Sequence, residues 1–340
     1  MERLKKKKVV TFGEVMMRLS PPGRATFSQA NNLDLTFGGG ESNVAISLAY
    51  FGVNTVHVTR FPDNFIGKAA TQFLRHHWVD TTHVIYGGEM IGKYFIEKGS
   101  THRPSQVVYE RDGSAFAEMK PEMINWKEVL EGTDWFHWTG ITPGVSQGAA
   151  ESCLEAIKVA NNLGITVSGD IHSRSSLWNY GKDQSEVLPP LVEGTDVVIA
   201  SEFSINRVLN ITENQDEIDF KSASQKLMTN YPRVTKVVDK DRTSVSASHN
   251  RIQGKMWDGK SLIRTEEYDI NPIIERVGTG DAFAAGLIYG QLNMSDDEES
   301  LKFATAACSL KHTVEGDANV VSVENVINLV KGDTSGRINR

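Results

Sequence analysis

Glu275-Arg-Val-Gly-Thr-Gly-Asp281-Ala-Phe-Ala-Ala-Gly286 runs from a glycine-spaced turn into an apolar helix, with a carboxylate at the junction. Gly278 and Gly280 carry no Cβ, so the backbone can turn sharply and bring its N–H groups close to an anion, and the helix that follows adds its positive end. A carboxylate among such amides is poorly explained by charge alone. It makes sense if Asp281 must take a proton from a hydroxyl that attacks a phosphate. On this segment alone, an ordinary N-cap Asp after a flexible turn stands as the alternative.

Upstream of that turn, extended apolar runs alternate with helical periods, which is the signature of βαβ units around a parallel sheet. Val9 to Phe12, Val53 to Thr59, Trp135 to Trp138, Ile165 to Ser168, Val197 to Ala200 and Val234 to Val238 read as strands. Val44 to Tyr50, capped near Ser42 or Asn43 and ended by Gly52, reads as a helix, as do Gln147 to Asn162 and Asp219 to Asn230. Arg18 to Phe37 and Tyr94 to Met119 break the rhythm with alternating polar and apolar residues, which predicts a small antiparallel sheet laid across the main domain as a lid. The domain division expected is a main α/β body of residues 1–17, 38–93 and 120–340 with a lid of 18–37 and 94–119. Only the ends, Met1 to Lys8 and Gly332 to Arg340, read as disordered tails.

A chain of 340 residues buries a large core, and its net charge of −7 argues against a nucleic-acid partner. The Lys5 to Lys8 run reads as a solvated tail. The apolar stretch after it is broken by Glu14 and Arg18, too short for a secretory segment, and no long uncharged run follows, so the expectation is a cytoplasmic protein without a membrane partner. Cys153 and Cys308 lie in helical patterns without CxxC spacing and read as core thiols.

Gly254-Lys-Met-Trp-Asp-Gly259-Lys260-Ser261 satisfies the Walker A pattern, which places its lysine and serine on phosphates and magnesium between a strand and a helix. Here the context fails. Ser244 to Gln253 alternates like a strand, Asp258-Gly259 is a hairpin dipeptide, and Leu262 to Ile270 stays extended until Pro272, so the segment is predicted to be a β-hairpin.

With Gly39, Gly40, Asn43, Ala45, Gly52 and Gly67 near one end and Gly278, Gly280, Asp281, Ala282 and Phe283 near the other, the chain resembles the ribokinase-like, or PfkB, family of sugar kinases over almost its whole length. Within that family it is most similar to the 2-keto-3-deoxygluconate kinases, through VVTFGEVMMRLSPPG from Val9, RPSQVVYERDGSA from Arg103, WFHWTGITP from Trp135, SASHN from Ser246 and LKHTVEGD from Leu310. The resemblance implies an α/β fold, a three-layer αβα sandwich with a mostly parallel central sheet and a small β-sheet lid. It implies Asp281 as the base and Gly278, Thr279 and Gly280 as an anion hole. Substrate contacts carry over to Gly39, Asn43, Arg18, Tyr94, Tyr109, Arg111 and Arg174, and nucleotide contacts to Lys240, Arg242, Gly278, Gly280 and Gly316. The partners implied are ATP, Mg2+ and a sugar acid, with a homodimer through the lid. A carboxylate is best gripped by a guanidinium, which singles out Arg111 and Arg174, and a cation at Arg18 stands where many neutral-sugar members carry an Asp. Each arginine also has a plain reading as a salt-bridge residue, and each tyrosine as lid packing.

The chain departs from the family at four places, one of them the small change from the usual Asp to Glu275. Asp-x-Asn-x-Arg is here Asp170-Ile-His172-Ser-Arg174; the Asn-x-x-acid element that orders water around magnesium is here Ser201-Glu202-Phe203-Ser204, leaving Glu202 as an indirect contact to the metal; and the Thr-Leu-Arg-like run of the nucleotide strand is here Asp239-Lys240-Asp241-Arg242-Thr243. Two alternatives therefore stand beside a sugar-acid kinase: a kinase for a neutral sugar such as fructose, and a sugar-acid-binding pseudokinase.

Overall fold

The computed structural model describes residues 7–171, 177–210 and 219–333. In chain order the strands are β1 Lys8–Phe12, β2 Met16–Ser20, β3 Asp34–Gly38, β4 Asn54–Phe61, β5 Val84–Tyr86, β6 Lys93–Glu97, β7 Gln106–Glu110, β8 Trp135–Thr139, β9 Thr166–Asp170, β10 Val197–Ile199, β11 Lys236–Ser246, β12 His249–Trp257, β13 Leu262–Arg264 and β14 Tyr268–Ile270. The main sheet runs β13-β12-β11-β10-β9-β8-β1-β4-β5, with β14 on β12. It is parallel from β11 to β5 and antiparallel at the β11–β12–β13 edge.

Helices cover both faces, so the central strands are apolar on both sides: all five residues of β8 and all three of β10 are buried. Successive residues feed opposite layers. Val10 and Phe12 pack with the helices Gln147–Asn162, Gln184–Glu193 and Phe220–Asn230, whereas Val9, Trp135 and Val197 pack with Gly40–Tyr50, Thr279–Asn293 and Asp297–Lys311. The helix Gln147–Asn162 has the predicted ends because Ser146 Oγ accepts from Ala149 N at its start.

Four differences from the expectations have physical causes. The glycine-triplet helix starts at Gly40, earlier than a cap at Ser42 or Asn43 would allow, because Gly39 is the cap: its carbonyl accepts from Asn43 N at 2.8 Å, and it packs too tightly on the Glu14 carbonyl to carry a Cβ. The strand expected over Ser244 to Gln253 is interrupted by a turn at Ala247-Ser248 between β11 and β12, which Ser246 Oγ stabilises by accepting from Ser248 N. Lys7 and Lys8 are not tail: Lys8 opens β1, and its amide donates to Asp134. The lid sheet, ordered β3-β2-β6-β7, is mixed rather than antiparallel. Each half pairs antiparallel within itself, but β2 and β6 follow strands of the parallel sheet that end at the same edge, and so they leave it in the same direction and pair in parallel. The lid strands begin at Met16 and Lys93, and after Glu110 the chain returns to the main body, where Phe116 and Met119 join the core. The Walker-like segment is a hairpin: Trp257 pairs with Leu262, and Asp258 Oδ1 accepts from the amides of Lys260 and Ser261. Among the described residues no helix is long and apolar enough to cross a membrane.

Candidate active site

Gly278 adopts φ +78°, which favours glycine, and a Cβ there would collide with the Asp317 carbonyl oxygen. From it springs the helix Thr279–Asn293, whose first amides have no partner within the helix and point out of its end. Because Gly278 is the cap, Asp281 lies inside the first turn and is not an N-cap. Its carboxylate is oriented from across the fold. Asn43, in the first turn of the helix Gly40–Tyr50, accepts from Gly39 N through Oδ1 (3.5 Å) and donates through Nδ2 to Asp281 Oδ2 (2.7 Å). The two glycine signatures, 238 residues apart, thus meet in one hydrogen bond.

These groups line a cavity of about 540 Å³ at the carboxyl ends of the parallel strands, where open α/β sheets place their ligands. At its lid end stand Tyr94, Tyr109 and Arg111, the two rings 5.7 Å apart. Arg111 is not a free cation. Its Nε donates to Glu14 Oε2 at 2.8 Å and its Nη2 donates to the same oxygen, while Ser114 Oγ donates to Glu14 Oε1 at 2.5 Å. Glu14 lies just past β1 and was not singled out from the sequence, although it stands in the VVTFGEVMM run.

Arg18 is placed differently from the expectation. It does not line the cavity and is only 2 % exposed, because it bridges Glu275 Oε2 (2.6 Å) and Asp317 Oδ1. Burial alone would lower its pKa, but the two carboxylates hold it raised. In return Arg18 keeps Glu275 below the ordinary carboxyl range in spite of burial. Asp317 lines the cavity and accepts from the Tyr94 hydroxyl, whose pKa burial and that carboxylate push up. Arg18 thus reaches the cavity only through Asp317, the last residue of LKHTVEGD. That motif was the available sequence signal for Asp317. Arg174 and His172 lie outside the described residues.

At the other end Lys240, Arg242 and Arg276 supply positive charge, and the wall holds Asp170, the last residue of β9, and Asp239, within β11 just past its pairing with β10. Lys240 Nζ lies 5.0 Å from the Phe283 ring, beside Gly280. Arg276 was missed in the sequence; it is set by donating to Asn250 Oδ1 at 2.6 Å. Gly316, at φ +77°, is not on the lining but turns the chain into Asp317. Glu202 also lies off the lining, and its carboxylate accepts from the buried Lys255 at 3.1 Å, which is engaged by Asp241 at 2.6 Å and Asp239 at 3.5 Å as well. Among the described residues no cluster of three His, Cys, Asp or Glu could hold a metal by itself. Asp170 and Asp239 are the lining carboxylates at this end, and a magnesium ion that arrives with a nucleotide keeps water and phosphate oxygens and needs only one or two carboxylates.

A family model for pfkB family carbohydrate kinases matches residues 6–324. The 2-dehydro-3-deoxygalactonokinase of Haloferax volcanii is 30% identical over 330 residues, covering 96% of this chain and 98% of that protein. The crystal structure of the 2-dehydro-3-deoxygluconokinase of Thermotoga maritima is 40% identical with a TM-score of 0.90, covering 96% and 99% of the two chains. A PfkB family carbohydrate kinase from Listeria grayi is 35% identical, with a TM-score of 0.89 and coverage of 96% and 100%.

Proposed function

The chain belongs to the pfkB family of carbohydrate kinases, and from that membership we propose that it transfers the γ-phosphoryl group of ATP to a hydroxyl of a ketodeoxy sugar acid, 2-keto-3-deoxygluconate giving its 6-phosphate. The observation that carries this reading is Asp281 held by Asn43 at the mouth of the glycine turn. Steered by Asn43, the Asp281 carboxylate is the group that takes the proton of the attacking hydroxyl. The amides at the start of the helix Thr279–Asn293 meet the charge that gathers on the transferring group. Asp170 and Asp239, on the cavity lining, would support a magnesium ion that arrives with ATP and would offset phosphate charge there. Lys240, Arg242 and Arg276 flank the nucleotide.

The preference for an acid rests on Arg111, supported by the names of the related kinases from Haloferax volcanii and Thermotoga maritima. Glu14 occupies its Nε and Nη2 edge, which leaves Nη1 to meet a substrate carboxylate. Arg174 is the second guanidinium assigned to that carboxylate. A cytoplasmic location and a homodimer that covers the exposed lid residues Leu35 and Val108 belong to the same reading.

The test is ADP release from ATP and magnesium with 2-keto-3-deoxygluconate, its galactonate epimer, fructose, ribose and gluconate. Turnover confined to the ketodeoxy acids is expected, and Asp281→Asn should lower kcat by about 10²- to 10⁴-fold. Turnover on fructose alone would overturn the acid preference. Binding without turnover on any sugar would favour the pseudokinase, for which the Ser201 and Ser204 substitutions speak.

A further inference from the structure

Lys311 ends the helix Asp297–Lys311 with no solvent exposure at all, and none of the chemistry above uses it. A buried ammonium costs several kcal/mol unless it is paired, so its surroundings need an explanation. Its Nζ donates to Val314 O at 3.0 Å, inside the loop that leads to Asp317. That loop is stitched to the segment entering the glycine turn, for Ile274 N and Glu275 N both donate to His312 O, at 2.8 and 3.2 Å. Farther on, the Asp317 carbonyl packs directly against Gly278. Glu275 in turn shapes the entry to the turn by accepting from the amides of Arg276 (2.9 Å) and Val277 (3.2 Å).

Arg18 and Lys311 are thus two buried cations set with two buried carboxylates, Glu275 and Asp317, and of the four only Asp317 lines the cavity. Without Lys311 the set carries a net negative charge behind a site that must receive an anion. We propose that Lys311 is a positioning residue for phosphoryl transfer: its ammonium group braces the loop behind Gly278, neutralises this four-charge set and supports the negative charge that develops in front of it. The proposal rests on reading Gly278 to Asp281 as the phosphoryl-transfer site.

The charged groups that act on Lys311 are the carboxylates Glu275, Asp317 and Asp281, which favour its ammonium form, and Arg18, which opposes it. Its neighbours Cys308 and His312 stay uncharged, since burial pushes the thiol up to about 11 and the imidazole down to about 4. Burial pulls Lys311 itself down to about 8, against the pull of Glu275 and Asp317. The ammonium form is thus the form present below that pH, and kcat should fall as pH rises through it.

The experiment compares the wild type with Lys311→Ala and Lys311→Met, on whichever sugar the wild type phosphorylates. Lys311→Ala should lower kcat by about 10²-fold while the KM for the sugar stays within about threefold, and ammonium chloride should restore part of the loss while sodium chloride does not. The wild type is expected to show an alkaline limb near pH 8, and Lys311→Met should lose it. If the alanine variant does not fold, the pH profile of the methionine variant decides. Wild-type kcat in Lys311→Ala, or a loss that ammonium does not touch together with an unchanged alkaline limb in Lys311→Met, would overturn the proposal. A wild type silent on every sugar would instead overturn the kinase reading, and this proposal with it.

Discussion

Arg111 and Glu14 illustrate how one side chain carries both a binding role and a structural one. Glu14 is 4 % exposed, so Arg111→Leu strands a buried carboxylate as well as removing the guanidinium from the cavity. The stranded charge should cost about 3–5 kcal/mol of stability. Glu14→Gln in the same chain should recover most of that loss without recovering the binding. The expected pattern is a raised KM for the ketodeoxy acid in both variants, a far smaller change for any neutral sugar that turns over, and a melting temperature that falls in the single variant and returns in the double. Equal effects on acidic and neutral sugars would remove Arg111 from the carboxylate site. Arginine was legible here as a residue type, because it suits a carboxylate; its partner was not, since the two stand 97 residues apart and no local spacing links them.

At the scale of elements, the helices Thr279–Asn293 and Asp297–Lys311 lie so close that a Cβ on Gly286 would come within 2.7 Å of Ala304 Cα and 3.2 Å of Ala307 Cβ. Alanine gains roughly 1 kcal/mol over glycine in helix propensity, yet the obstructing atom is backbone and cannot rotate away. Overpacking of about 1–3 kcal/mol should therefore win, and Gly286→Ala should melt earlier. It should also lose kcat, because the same helix carries Asp281; an unchanged kcat at a lowered melting temperature would mean that the shift is absorbed elsewhere. Periodicity made the strands, the helix Gln147–Asn162 and the hairpin at Asp258-Gly259 readable, because each is set by residues within a turn or two of one another. The parallel joint between β2 and β6, and the placing of Arg18 behind Asp317 rather than in the cavity, come from pairings between distant segments, which a local pattern does not encode.

The molecule as a whole buries neutral histidines that acid must charge. Burial lowers His57 to about 3 and His312 to about 4, both below the ordinary 6.5. Between those values and 6.5 the unfolded chain binds more protons than the folded one, so stability rises with pH there and is lost as pH falls below about 6.5. Each histidine should contribute on the order of 1.4 kcal/mol per pH unit in that window. Replacing His57, whose Nδ1 is 2.7 Å from Thr11 Oγ1, with Gln should flatten the acid side of a plot of melting temperature against pH; an unchanged slope would exclude it as a source. One long-range feature also bears on how the protein is made. Arg18 leaves the ribosome early, but its carboxylate partners Glu275 and Asp317 follow 257 and 299 residues later. Until the segment carrying Glu275 has emerged, the cation that joins the lid to the glycine turn has neither partner. The nascent protein can therefore build most of its sheet before its active site exists.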